Sequence, residues 1–577
     1  MTQKPSVIGV VGLGAVGEAM LRLVADAGYT AVGVDRELDV LARVERRMKA
    51  RSGGHTWDKD GCTLTNDTAL LARADVVIEA VDEDLATKVD VLRRLHSLCP
   101  NETVLLSTTA SLPLPRLAIA SGRPERTGGL RLFRPPVVGG AVESVFTSMS
   151  LDDAISTVEQ LVAQLGLAPT AVGTHAGPLA TELVYASLNR AVALVEEGFV
   201  PAQSVDTAMR LGCGLPAGPL QLLDELGLDG VHAHLSELWA RTGDDAFRPT
   251  PLLTSMVRGG ALGRKSGEGF YRYDDEGRAY PGGGTDGAGS DAPGAQPVAR
   301  VGVLGSGTMA RGIAEVCAVA GLRTTLVARS EEKARRALDS VDASLTKAVR
   351  RGKVTPDQKA GALAVLDGAE DFGALADCDL VIEATAEDLP LKRSLFARLG
   401  SVCRPGALLA TTTSSLSVAT CTGPADRPGD VLGLHFFNPA PVMKLVELVR
   451  TPDTGDQVMA AARAFCDQLG KVAVECPDEA GFIVNRLLFP YLADAIRLLD
   501  RYGVDIKELD DAVKGGFGYP MGPFALLDSI GLDVSLAILR CLHKEFPDGG
   551  NEPPAAIKEL VTCGFLGRKS GQGFRRA

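Results

Sequence analysis

The sequence predicts a chain of class α/β plus all-α, built as two tandem units, each a doubly wound α/β domain followed by a helical domain. Three observations carry that expectation. Long motifs recur at one fixed spacing; each recurrence opens on an apolar run and a glycine turn; and each closes in a stretch rich in alanine and leucine at helical period.

The spacing is constant. ADVVIEAVDEDL from Ala74 returns as CDLVIEATAEDL from Cys378. GLPAGPLQLLDELGLD from Gly214 returns as GYPMGPFALLDSIGLD from Gly518, and LGRKSGEGF from Leu262 returns as LGRKSGQGF from Leu566. All three pairs lie 304 positions apart, which marks a duplicated unit. Between the copies, EGRAYPGGGTDGAGSDAPGAQP is dense in Gly and Pro and poor in large apolar residues, so it reads as a linker. The expected domains are therefore residues 1–176, a nucleotide-binding type domain; 177–275, helical; 276–297, linker; 298–480, a second nucleotide-binding type domain; and 481–577, helical.

Each unit begins in the same way. Val7 to Val11 precede Gly12-Leu13-Gly14-Ala15-Val16-Gly17, and Val301 to Leu304 precede Gly305-Ser306-Gly307-Thr308-Met309-Ala310. A helical segment and a second apolar run follow, ending at Val34 and at Ala328. Strand, glycine turn, helix, strand is the context that makes this pattern a Rossmann-like dinucleotide signal. The first Gly allows the tight turn, the second lets the backbone approach a pyrophosphate, and the third small residue lets the helix pack closely. The helix N-terminus then faces the phosphates. Asp35 follows Gly14 at the position expected of an acid that binds the adenosine ribose, whereas the second unit reads Ala328-Arg329-Ser330 there. Past Gly177 and Gly481 the strand signal gives way to helical periodicity.

The glycine loops are only 293 positions apart, Gly12 to Gly305, so the second unit has gained 11 residues before its VIEA motif. They fall around SLTKAVRRGKVTPDQK and bring Lys347, Arg350, Arg351 and Lys353. Taken alone, that stretch reads as a solvated basic helix face.

Composition narrows the function. In 577 residues, 45% are hydrophobic and 23% charged, as in ordinary globular protein. Lys and Arg number 60 against 72 Asp and Glu, a net charge of −12, which argues against a dedicated nucleic-acid binder. No apolar run approaches the roughly 18 residues of a membrane helix, and the N-terminus lacks the pattern of a signal peptide. The eleven cysteines are scattered and neither they nor the histidines show zinc spacing. A cytoplasmic protein with reduced thiols and no metal site is expected.

Of the seven histidines only His435 and His543 lie in the second unit, and His543, in LRCLHKEF, reads as structural. His435 lies in GLHFFNPAPVMKLVELV, directly after an apolar strand, with Glu447 as a candidate orienting partner and Ser414-Ser415 behind the strand ALLATTT.

The ordered set GxGxxG/A, VIEA, TSSL, HFFNP, KLVE, GFIVNR, GPF.LLD and GRKSG resembles L-3-hydroxyacyl-CoA dehydrogenases over nearly all of the second unit, Val301 to Phe574. The resemblance implies oxidoreductase activity on (3S)-3-hydroxyacyl-CoA and 3-oxoacyl-CoA, hydride transfer with a nicotinamide cofactor, and a place in fatty-acid metabolism. It implies that His435 is the acid–base histidine, Glu447 its orienting carboxylate, and Ser414 and Asn485 the groups on the substrate oxygen. It places Gly305, Gly307, Thr308, Met309, Ala310, Arg329, Ser330, Glu387, Lys392 and Asn438 around the cofactor, and Ser344 and Arg351 on a helical arm that contacts coenzyme A. Because the second strand ends without its acid and offers Arg329 and Ser330, NADP is favoured over NAD; a relaxed NAD site is the alternative. The runner-up activity is that of a related hydroxy-acid or sugar-acid dehydrogenase.

The first unit keeps the architecture without the chemistry. At the offset of 304, His435 corresponds to Arg131, Ser414 to Ala110, Asn438 to Arg134 and Asn485 to Thr181, while Glu447 keeps Glu143. An arginine does not deprotonate near neutral pH and cannot serve as the base. This unit is therefore expected to be inactive and structural, forming an internal pseudo-dimer with the second unit, or acting within a homodimer. The alternative is a nucleotide-sensing module with a second site at Gly12, Gly14, Gly17 and Asp35.

Overall fold

The computed structural model describes residues 6–51, 61–110, 112–170, 176–274, 277–280, 298–547 and 550–576. Except for residues 277–280, the expected linker lies outside these residues.

Two eight-stranded sheets form. In the first, β1 (Val7–Val11), β2 (Thr30–Val34), β3 (Cys62–Thr65), β4 (Val76–Glu79), β5 (Val104–Ser107), β6 (Thr127–Leu132), β7 (Ala141–Val145) and β8 (Ala168–Pro169) run in the order 3-2-1-4-5-6-7-8. The second sheet repeats that order with β9 (Arg300–Leu304), β10 (Arg323–Val327), β11 (Leu366–Ala369), β12 (Leu380–Glu383), β13 (Leu408–Thr411), β14 (Val431–Phe436), β15 (Leu445–Arg450) and β16 (Val472–Pro477). The central strands are buried on both faces, as continuous apolar runs such as VIGVV demand. All pairings are parallel except β6 with β7 and β14 with β15. These antiparallel pairs set the residues of the two strands directly opposite one another.

The chain then leaves each sheet for helices. Helices Ala176–Glu196 and Val484–Tyr502 are the long central elements of the two helical domains, and they pack against each other. Helix Ala202–Cys213 lies on helix Val484–Tyr502, and helix Ile506–Phe517 lies on helix Ala176–Glu196. One apolar core runs through both domains, joining Leu183, Leu188 and Leu220 of the first unit to Leu492, Ile496 and Phe524 of the second. The pairing is pseudo-symmetric: a Cβ on Gly214 would stand 3.4 Å from Pro520, and one on Gly518 would stand 3.4 Å from Pro216. Ion pairs cross the seam at Arg190–Asp494 (2.6 Å) and Arg486–Glu197 (2.6 Å).

The third repeated motif is structural. Asp528 of GPFALLD accepts the backbone N–H groups of Phe574 and Arg575, and a Cβ on Gly573 would stand 1.9 Å from its Oδ1. GRKSGQGF thus closes the chain over the end of helix Pro523–Ile530, and Asp224 does the same for Phe270 and Tyr271. Among the described residues no helix is long and apolar enough to cross a membrane.

Candidate active site

In the second unit the antiparallel step from β14 to β15 places His435 opposite Glu447. Their side chains point the same way, and Nδ1 of the imidazole lies 2.6 Å from Oε2 of the carboxylate. Glu447 is wholly buried, and its Oε1 accepts the N–H groups of Ile483 (3.0 Å) and Val484 (2.9 Å). The turn that delivers them contains Phe482 at φ +50°, a left-handed conformation that costs a bulky residue about 1–3 kcal/mol. With three donors on the carboxylate, the ring proton stays on Nδ1 and Nε2 is left as the exchanging nitrogen.

That nitrogen points to Ser414, 3.2 Å from its hydroxyl. The Ser414 loop follows β13 and is tied down twice. Asn485 donates to the Ser414 carbonyl (3.1 Å). Glu387 accepts the Thr413 hydroxyl (2.6 Å) and the N–H groups of Ser414 (3.0 Å) and Ser415 (3.2 Å). Phe437 packs edge-on against the imidazole with centroids 4.6 Å apart, and Phe482 lies at 5.4 Å.

Glu387 rests in turn on Lys392, which is 1% exposed and pairs with Glu383 at 2.8 Å and with Glu387 at 3.5 Å. Glu383 also accepts the Thr411 hydroxyl. Burial pushes the Glu387 carboxyl up, but Lys392 and the hydrogen bonds from Thr413, Ser414 and Ser415 outweigh it and hold the group below its ordinary range. Lys392 therefore lies beneath Glu387, away from the surface of the loop. Asn438 stands exposed at the mouth of the loop after β14.

A dinucleotide fits the crevice above β9. Gly305 has φ +133°, and a Cβ there would stand 2.5 Å from the Ala384 carbonyl. Helix Thr308–Val319 begins at Gly307, which supplies no side-chain cap and has open space around it, so the first-turn N–H groups face outward. Ala310 is fully buried against the loop and Met309 is half-buried. Arg329 is exposed at the end of β10, and Ser330 caps helix Glu331–Arg350 by accepting the Lys333 N–H. Glu370, at the end of β11, accepts the Glu331 N–H on the same corner.

The basic stretch of the second unit runs from helix Glu331–Arg350 into helix Pro356–Ala364, which packs on helix Thr308–Val319. Ser344 and Arg351, seven residues apart, share one face of this arm, with Ser344 bonded to Glu315 and Arg351 exposed at its end. Helix Ala15–Asp26 of the first unit, the counterpart of helix Thr308–Val319, lines a cavity of about 1080 Å³ that Gly515–Gly518 of the second unit also border.

Several site residues carry no signal in the sequence reading. Glu383 is visible only as the repeated acid of VIEA, and Phe482 only as part of GFIVNR. No motif marks Arg311, whose guanidinium folds over the first turn of helix Thr308–Val319, bonding the Gly307 carbonyl and the Thr308 hydroxyl.

The first unit repeats the scaffold with other side chains. Arg131 faces Glu143 across β6 and β7 and pairs with it in the interior. Lys88 pairs with Glu79 at 2.8 Å, as Lys392 does with Glu383. Gly12 has φ +87°, and Asp35 accepts the Leu13 N–H of the glycine loop at 2.8 Å.

Comparison with known proteins agrees with this architecture. The 3-hydroxyacyl-CoA dehydrogenase NAD-binding domain matches residues 7–175 and 300–480, and the 3-hydroxyacyl-CoA dehydrogenase C-terminal domain matches residues 178–273 and 481–577. A 3-hydroxybutyryl-CoA dehydrogenase of Mycobacterium tuberculosis is 42% identical over 279 residues, covering 48% of this chain and 98% of that protein. A 3-hydroxyadipyl-CoA dehydrogenase of Escherichia coli is 43% identical over 277 residues, covering 48% of this chain and 58% of that protein. The crystal structure of a 3-hydroxybutyryl-CoA dehydrogenase from Escherichia coli aligns over 98% of this chain and 100% of its own, with a TM-score of 0.56 and 19% identity, a likeness of fold. With both family domains present twice and in tandem, the chain belongs to the 3-hydroxyacyl-CoA dehydrogenase family of nicotinamide-dependent oxidoreductases.

Proposed function

We propose that the second unit interconverts (3S)-3-hydroxyacyl-CoA and 3-oxoacyl-CoA, and that it holds the chain's one active site. The observation that carries the reading is the hydrogen-bonded series Glu447–His435–Ser414, which ends in an imidazole nitrogen aimed at a serine hydroxyl. A nicotinamide dinucleotide bound along Gly305, Gly307 and the start of helix Thr308–Val319 supplies the hydride acceptor or donor. On oxidation, His435 Nε2 takes the proton of the substrate 3-hydroxyl as the carbonyl forms, and on reduction it returns that proton. Glu447 holds the ring in orientation and stabilises the imidazolium. The Ser414 hydroxyl binds the substrate oxygen, and Asn485 fixes the loop that presents it and lies within reach of the same oxygen. Glu387, braced by Lys392, and Asn438 shape the cofactor side, while Ser344 and Arg351 on the arm meet the coenzyme A phosphates.

The cofactor favoured is NADP(H). Ala328 presents no carboxylate to a ribose 2′-hydroxyl, and Arg329 supplies a cation for a 2′-phosphate. Glu370 is the acid that such a phosphate must keep clear of.

In this reading the first unit does no chemistry. It serves the second as a partner subunit would, and the Arg131–Glu143 pair keeps its sheet closed where a proton-transfer pair would otherwise stand. Acetoacetyl-CoA reduction followed with NADPH and with NADH tests the assignment. Turnover with NADPH the better donor is expected; no turnover of any 3-oxoacyl-CoA rejects it. Nucleotide stoichiometry tests the second part, with one bound per chain expected and two pointing to a sensing site at Gly12, Gly14, Gly17 and Asp35.

A further inference from the structure

The acid–base pair of the second unit is backed by residues of the first. Gly212, in the last turn of helix Ala202–Cys213, packs where a Cβ would stand 2.9 Å from Val484 Cγ2, 3.0 Å from Leu445 Cδ2 and 3.5 Å from Phe437 Cε1. Each of these residues is one step from the pair. The Val484 N–H is bonded to Glu447, Leu445 precedes Glu447 by two residues on β15, and the Phe437 ring lies against the imidazole. The adjoining Cys213 is close enough that burial and then the Glu447 charge push its thiol up to about 12.

A second contact reaches the other side of the same turn. Arg486, adjacent to Asn485, bonds Glu197 of the first unit at 2.6 Å and Glu479 at 2.7 Å. Its guanidinium also lies over Phe199 of the first unit (4.7 Å) and over Phe546 (4.4 Å). The segment Ile483–Asn485, which donates two N–H groups to Glu447 and one amide to the Ser414 loop, thus meets the first unit at Val484 and again at the adjoining Arg486.

We infer that the first unit is a positioning element for the second unit's active site, with Gly212 the residue whose missing side chain sets how closely Val484 and Leu445 stand to the Glu447–His435 pair. The inference rests on the functional reading above and assigns the degenerate unit a specific task. Close-packed interiors pass displacements on instead of absorbing them, so a side chain at Gly212 displaces Val484 and Leu445, the residues that lead to Glu447. The reciprocal contact has no such consequence. Gly516 of the second unit faces Phe133 of the first, 2.4 Å from its ring by the same measure, and Phe133 lies two residues beyond Arg131, which stands where the second unit has its histidine.

The test uses the full-length chain with Gly212→Val, the milder Gly212→Ala, and Gly516→Val as the matched interface control. Expected for Gly212→Val is a fall in kcat of about 10-fold or more with acetoacetyl-CoA KM nearly unchanged, since misplacing a catalytic group costs rate before binding. The apparent pKa of the base in the kcat profile should fall, because withdrawing Glu447 removes support for the imidazolium. Gly212→Ala should show the same signature in weaker form, and it decides the matter if the valine variant does not fold. Gly516→Val should lower the thermal midpoint while leaving kcat and the pH profile of the folded enzyme unchanged. Equal losses in the Gly212 and Gly516 variants, or an unaltered kcat and pH profile at Gly212, overturn the inference. If the wild-type chain turns over no 3-oxoacyl-CoA, it is the functional reading that fails; the His435 imidazole titration by NMR then decides positioning, and a titration unmoved by Gly212→Ala rejects it.

Discussion

His435 and Glu447 face each other across the β14–β15 ladder at 2.6 Å, and Arg131 and Glu143 hold the same positions across β6–β7. One register position therefore carries an imidazole in one unit and a guanidinium in the other. His435→Gln should lower kcat about 1,000-fold in an acetoacetyl-CoA assay, within the range of lost acid–base catalysis. Arg131→Ala should leave the turnover of folded enzyme nearly intact while costing about 3–5 kcal/mol in denaturant unfolding, because Glu143 is then buried without its cation. Loss of turnover on removing Arg131 with full activity on removing His435 would reverse the assignment.

Lys392 and Lys88 are both 1% exposed and both lie beneath a buried glutamate. Replacing either with Met should destabilise its domain by about 3–5 kcal/mol. Only Lys392→Met should also weaken dinucleotide binding, since only there does the lysine brace Glu387 under the proposed active-site loop. Calorimetric titration of the two variants separates these effects.

The cofactor corner gives a specificity prediction. Ala328→Asp should restore a ribose-binding acid and turn the preference toward NADH, and Arg329→Ala should raise the KM for NADPH far more than that for NADH. A wild-type chain that binds NADH much more tightly than NADPH refutes the proposed preference.

The arm should act on one substrate only. Arg351→Ala is expected to raise the KM for acetoacetyl-CoA several-fold, in line with the loss of one charge-assisted contact of about 1–2 kcal/mol, while leaving the reduced cofactor's KM unchanged. Equal effects on both would place the arm elsewhere.

Asp206 gives a pH signature of folding. It accepts the N–H groups of Leu220 and Gln221 and the Tyr271 hydroxyl, yet burial raises it from 3.8 to about 6. A carboxyl raised by folding stabilises the native state fully below its unfolded value and loses that contribution as pH rises through its folded value. The wild-type chain should therefore lose about 3 kcal/mol relative to Asp206→Asn between roughly pH 4 and pH 6. Parallel stability curves for the two proteins would contradict the shift.

Much of this molecule is legible in its sequence. The repeat offset announces the two units, and the glycine turns announce the strands and helices around them. HFFNP and KLVE name the two residues that the β14–β15 ladder then pairs, because an antiparallel register converts a fixed sequence separation into a cross-strand contact. What was not legible depends on tertiary packing. Nothing in GFIVNR declares that Phe482 turns left-handed so that two consecutive N–H groups reach Glu447. Nothing near Gly212 declares that its missing side chain accommodates residues more than two hundred positions away. Ser330 could be read as a phosphate ligand, yet helix Glu331–Arg350 uses its hydroxyl as a cap. Lys392 is marked by its motif, but its burial beneath Glu383 and Glu387 is a product of tertiary packing that the motif does not declare.

The apolar core shared by the two helical domains has a kinetic and evolutionary side. Where two separate chains must meet to build such a core, the population of paired molecules falls on dilution. Here the partner is tethered, so its local concentration is set by the chain itself and stays in the millimolar range however dilute the solution. Specific activity should hold constant down to concentrations at which a two-chain enzyme would come apart. The same tether lets one copy lose its acid–base histidine, as Arg131 shows, while its helices still complete the shared core.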